Sequence, residues 1–90
     1  MYLPNAQSVE IRGSFTGWHD RPIPMSRTSD GWWTATVLLP AGDHEFQYFV
    51  DHRQWIPDYA AGGLRMSQFG SWVSLLHVPG EQAGVMRLAA

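Results

Sequence analysis

Trp18, in Gly13-Ser14-Phe15-Thr16-Gly17-Trp18, and Trp55, in Val50-Asp51-His52-Arg53-Gln54-Trp55, lie in turn sequences and not in apolar runs. An indole left in water is unfavourable unless something flat covers it. Two such rings on one sheet could grip the C–H faces of sugar rings, which are planar and weakly polar.

Catalytic groups are harder to find. His19, His44, His52 and His77 show no His-Glu-x-x-His or cysteine-paired spacing, so no zinc ligand set can be read. Asp20, Asp30, Asp43, Asp51 and Asp58 all sit in turn-like sequence, where aspartate caps backbone amides. Glycoside hydrolysis needs two carboxyls flanking a cleft, and nothing singles out such a pair. There is no Gly-x-Ser-x-Gly elbow and no phosphate-cradling glycine loop. A binding protein with no catalysis of its own and no cofactor is expected.

Composition narrows the partners. The net charge is −2, and all six basic residues are arginines scattered singly. Without a basic stripe, nucleic acid is not an expected partner. No apolar run approaches the ~20 residues of a membrane span, and the first residues lack a signal peptide's basic and apolar regions. Cysteine is absent, which fits a reducing, cytoplasmic setting.

The elements that must carry the rings read as strands. Val9 to Gly13 alternates apolar and polar residues. Trp32 to Leu39 places Trp33, Ala35, Val37 and Leu39 on one face, the better core face. Pro40-Ala41-Gly42-Asp43 reverses the chain into His44 to Asp51, where Phe46, Tyr48 and Val50 share one face and Glu45, Gln47 and Phe49 the other. A tight turn at Asp51-His52-Arg53-Gln54 leads to Trp55-Ile56, and a last strand covers Ser71 to Val78. Gly13 reads as a β-edge glycine. The sum is an all-β sandwich of two antiparallel sheets with six or seven strands. Residues 1–80 form the domain. In residues 81–90, Val85, Met86 and Leu88 have helix-compatible spacing but too little length for a helix, so this tail is expected frayed or packed on a neighbour.

Three segments in order, Gly13 to Trp18, Asp30-Gly31-Trp32-Trp33 and Leu39 to Asp51, resemble the immunoglobulin-like early-set domain of glycogen-branching and debranching enzymes. They are most similar to the glycogen-binding domain of the AMP-activated protein kinase β subunit, among the family 48 carbohydrate-binding modules. The resemblance covers roughly Val9 to Val78. It implies binding of α-1,4-linked glucans such as glycogen, starch or maltooligosaccharides, and a glycogen-metabolism enzyme or kinase-like partner. Trp18 and Trp55 match its two sugar-stacking tryptophans. Phe69 matches a leucine that enters the hollow of the curved glucan, and Ser71 stands where the family has a threonine. Gln47 replaces a lysine that donates to sugar hydroxyls. Val73 replaces an asparagine that hydrogen-bonds the sugar, and a bond of that kind contributes about 0.5 to 1.5 kcal/mol.

Two other readings stay open. The chain could be a structural early-set scaffold whose sugar face has degenerated, as the changes at positions 47 and 73 suggest. It could also be a protein-interaction module, with Trp32, Trp72 and the tail forming a homodimer patch.

Overall fold

The computed structural model describes residues 3–58, 62–67 and 70–90, and these form two antiparallel sheets with no α-helix. Nine short strands appear among the described residues, more than the six or seven expected. They are β1 (Val9–Gly13), β2 (Ile23–Pro24), β3 (Ser26–Arg27), β4 (Trp33–Leu39), β5 (Gly42–Val50), β6 (Gln54–Ile56), β7 (Leu64–Met66), β8 (Trp72–Val78) and β9 (Gly84–Ala89). The larger sheet runs β2-β1-β5-β8-β7 with β6 also on β5, and the smaller runs β3-β4-β9. The additional strands include β2 and β3, two residues each, too short for alternation to show.

Strand alternation sets the core. On β5, Phe46 and Tyr48 are fully buried and Val50 nearly so; on β4, Trp33, Val37 and Leu39 are buried, with Ala35 packed at the margin. Val9 and Ile11 of β1, Val78 of β8 and Leu88 of β9 complete the contact between the sheets. Each large side chain taken from water there contributes about 1.5 to 3 kcal/mol. Burial, with the Asp58 carboxyl beside it, pushes the Tyr48 phenol above its ordinary range. The hydroxyl donates to Asp58 Oδ2 at 2.7 Å, so the one polar atom of this ring is satisfied.

Two local expectations gain detail. Gly13 closes β1 beyond the reach of β2, with β5 its strand partner opposite Phe46. A Cβ at Gly13 would stand 2.2 Å from the Glu45 carbonyl oxygen and 2.9 Å from Phe46 Cβ, so close approach of β5 is what requires glycine. The tail segment, read without a strand, supplies β9, whose partners run from Thr34↔Ala89 to Leu39↔Gly84. Met86, Leu88 and Ala90 alternate inward, so this segment is packed on the domain's own β4. Trp32 and Trp72 are exposed but belong to different sheets, Trp72 opening β8 and Trp32 preceding β4.

β5 organises the larger sheet through both of its edges. One edge pairs with β1 from Phe46 to Val50. The other is divided: β8 takes Gly42 to Phe46 and β6 takes Tyr48 to Val50. Gln47 falls at the seam between them.

Candidate functional site

The first ring is placed by the turn after β1. Thr16, whose hydroxyl is buried, accepts the Gly13 amide at 3.0 Å and lies 3.0 Å from the Gly13 carbonyl, and the Trp18 amide donates to that same carbonyl at 3.0 Å. Gly17 and Trp18 both adopt the left-handed conformation, with φ of 63° and 60°. That backbone costs a non-glycine residue about 1 to 2 kcal/mol. Strain of this sort concentrates where a side chain must be presented in one direction.

The second ring stands on the β5–β6 hairpin. Asp51 and His52, with φ of 53° and 57°, turn the chain with the twist that favours antiparallel pairing. Asp51 Oδ1 accepts the amides of Ser8 (2.9 Å) and Gln7 (2.6 Å). Those two bonds, Ser8 foremost, hold the Asp51 carboxyl below its usual range and tie the turn to the segment that leads into β1.

Behind Trp55 stands a support that alternation alone did not disclose. Phe49, directly opposite in the hairpin, places its ring 4.5 Å from that of Trp55 at 35°. Arg12 lies across both rings, its Nη2 donating to Glu10 Oε1 at 3.1 Å and its Nη1 to His19 Nδ1 at 3.0 Å. His19 in turn meets the Trp55 ring edge-on at 5.6 Å. The turn carrying Trp18 and the hairpin carrying Trp55 are thereby joined through Arg12. Phe49 on the polar face of β5 was the available signal, since an aromatic among Glu45 and Gln47 needs a partner.

Trp18, Trp55, Gln47, Ser71 and Val73 all line one open groove of about 1030 Å³. His19, Glu45, Arg65, Met66 and Ser67 complete its walls. Trp55 is exposed, as its turn position implied, whereas Trp18 is half-buried. Phe69 lies outside the described residues. Gln47 departs from the expectation of a surface donor: it is 6% exposed and its Nε2 donates to the Trp72 carbonyl at 2.7 Å, sealing the seam beside β8. Val73 is 2% exposed. Among the described residues, no three His, Asp or Glu side chains gather as a metal site.

Chemically, the groove combines flat apolar area with a few polar groups. It has two indoles from separate turns, a hydroxyl at Ser71, and one ion pair, Arg65 with Glu45, on its walls.

Residues 2–82 match the family described as the glycogen recognition site of AMP-activated protein kinase. The chain is 35% identical over 72 residues to 5'-AMP-activated protein kinase subunit beta-2 of Homo sapiens, covering 80% of this chain and 25% of the relative. It is 31% identical over 72 residues to the beta-1 subunit of Rattus norvegicus, with the same coverage of 80% and 25%. With the 1,4-alpha-glucan branching enzyme GlgB of Pseudoalteromonas atlantica it shares 30% identity over 79 residues, 84% of this chain and 11% of the enzyme. The chain thus matches only a quarter or less of the length of each of these relatives.

Proposed function

The chain belongs to the family of the glycogen recognition site of AMP-activated protein kinase, and from that premise we propose that its groove binds α-1,4-linked glucans by stacking glucose units on Trp18 and Trp55. The carrying observation is convergence: two tryptophans 37 positions apart line one groove with Gln47, Ser71 and Val73. A curved α-glucan offers apolar ring faces at successive angles, which rings on separate turns can meet. Flat cellulose offers them in one plane.

A glycogen-binding module is non-catalytic in itself. We assign this one the task of holding a partner or parent enzyme of glycogen metabolism near its polymer, in the cytoplasm. No helix among the described residues is long and apolar enough to cross a membrane.

Titration calorimetry with maltoheptaose should give a Kd of about 10 μM to 1 mM, or roughly −7 to −4 kcal/mol. Equal or tighter binding of cellohexaose overturns the assignment. The burial of Gln47 and Val73 favours a second reading, an early-set scaffold without useful sugar affinity, which predicts no heat with either sugar.

A further inference from the structure

The two positions that correspond to sugar-bonding residues of the family present almost nothing polar to the groove. Val73 has no donor or acceptor in its side chain, and the largely buried Gln47 spends an amide hydrogen on Trp72. A sugar stacked on the tryptophans still has hydroxyls to satisfy. Glu45 and Arg65, which line the same groove and pair with each other, are the charged groups within reach.

Their placement is built into the fold. Ser14, in the turn that carries Trp18, accepts the Glu45 amide at 3.1 Å and donates to the Glu45 carbonyl at 3.4 Å. The absent side chain of Gly13 lets that carbonyl approach. Glu45 is therefore held in fixed relation to the Trp18 turn. Arg65 sits opposite Val73 in the β7–β8 register and Glu45 opposite Leu75 in the β5–β8 register, so the pair spans β8 on the diagonal between Val73 and Leu75. The pair stays open to ligand, with side chains 27% (Glu45) and 60% (Arg65) exposed.

We infer that the Glu45–Arg65 pair is the polar recognition element of this groove, taking two adjacent hydroxyls of a glucose unit whose apolar face rests on the tryptophans. A carboxylate only accepts and a guanidinium only donates, while each sugar hydroxyl does both. Neighbouring hydroxyls can therefore bridge the pair, one donating to Glu45 and the other accepting from Arg65, through bonds that charge strengthens. An ion pair this exposed is held weakly, so opening it to admit the sugar is cheap. The inference rests on the groove being a glucan site, and it transfers polar recognition from positions 47 and 73 to positions 45 and 65.

The experiment titrates maltoheptaose into the wild-type chain and into Arg65→Met, Glu45→Gln, Arg65→Lys and Trp55→Ala, with a thermal melt of each. Arg65→Met and Glu45→Gln should each raise Kd about tenfold, equivalent to 1.4 kcal/mol, without lowering the melting temperature. Arg65→Lys should recover part of the loss. A β-cyclodextrin methylated on its 2- and 3-hydroxyls should bind the wild type more weakly than the parent ring does. It should bind Arg65→Met no more weakly than it binds the wild type, the coupling expected when side chain and hydroxyl are partners. Wild-type affinity in both charge variants, with binding lost in Trp55→Ala, overturns the pair and leaves the glucan reading standing. Absence of maltoheptaose binding by the wild type overturns both. Should one variant fail to fold, the other carries the test.

Discussion

The guanidinium carbon of Arg12 lies 4.4 Å from the centre of the Phe49 ring and 5.6 Å from that of Trp55. A cation over two aromatic faces, mostly screened from water, is attracted by their negative π faces, an effect of about 1 to 2 kcal/mol in such surroundings. Arg12→Met should therefore weaken maltoheptaose binding by about that amount and alter Trp fluorescence, although residue 12 is absent from the groove lining. Arg12→Lys keeps the charge but not the planar fork and should fall between. Unchanged affinity and emission in Arg12→Met would show that Phe49 alone supports the indole.

Removing either indole tests stacking directly. Trp18→Ala and Trp55→Ala should each cost about 1 to 3 kcal/mol of glucan affinity, the order found for planar ligands on aromatic rings. Trp18→Gly is the sharper variant. It relieves the left-handed backbone at φ 60° while deleting the ring, so binding should fall with little loss of melting temperature. Collapse of the fold in both alanine variants would identify the rings as core elements, since a buried Trp→Ala costs about 3 to 5 kcal/mol.

Restoring an asparagine at Val73 is the obvious gain-of-function change from sequence alone, and the burial of that position reverses the expectation. An amide placed where Val73 is 2% exposed loses water without an assured partner, at about 1 to 3 kcal/mol. Val73→Asn should melt lower than the wild type and bind glucan no better. Tighter binding would mean that the groove floor opens to the ligand.

Gly13→Ala should destabilise severely, by about 3 kcal/mol or more, because the new methyl meets a backbone oxygen in a paired strand and not a movable side-chain tip. Urea titration measures it. Loss of Trp18 presentation should accompany any folded remainder, since the Gly13 carbonyl holds the Trp18 amide.

Acid should act through Asp51, whose folded-state pKa is depressed by the Ser8 and Gln7 amides. Its stabilising contribution is present above the unfolded aspartate value near 3.9 and is lost as pH falls through the lower folded value. Below about pH 4 the melting temperature of the wild type should drop more steeply than that of Asp51→Asn. Parallel curves would remove the Asp51 turn from the acid response.

Much of the framework was legible because period two is strict: Trp33, Val37 and Leu39, and Phe46, Tyr48 and Val50, could alternate inward in only one phase. The turn at Asp51 and His52 was legible from residue type. β9 was missed although Met86, Leu88 and Ala90 stand two apart and turn inward, because Val85, Met86 and Leu88 in so short a tail fit a helical turn as well, and the partner β4 lies about fifty positions away. The fate of Gln47 was hidden as well. Its position on the outer face was readable, but its burial depends on a seam between β6 and β8 that no local pattern records. The convergence of Trp18 and Trp55 entered through family resemblance, and the Arg12 bridge behind them links residues too far apart in the chain for spacing to reveal.

The division of one edge of β5 between β6 and β8 also bears on how this domain can change. The chain leaves that edge at Ile56 and returns to it at Ser74; pairing of β7 with β8 fixes the register from Leu64 onward, but none fixes the number of residues between Ile56 and Leu64. Lengthening a surface connection costs little closure entropy. Arg65, Met66 and Ser67, the groove wall carried on this excursion, are where side-chain changes should be absorbed, as long as the β7–β8 pairing and the Asp58 bond to Tyr48 are kept. The hairpin bearing Trp55 and the turn bearing Trp18 would keep their footing, leaving ligand preference free to drift while the scaffold is inherited intact.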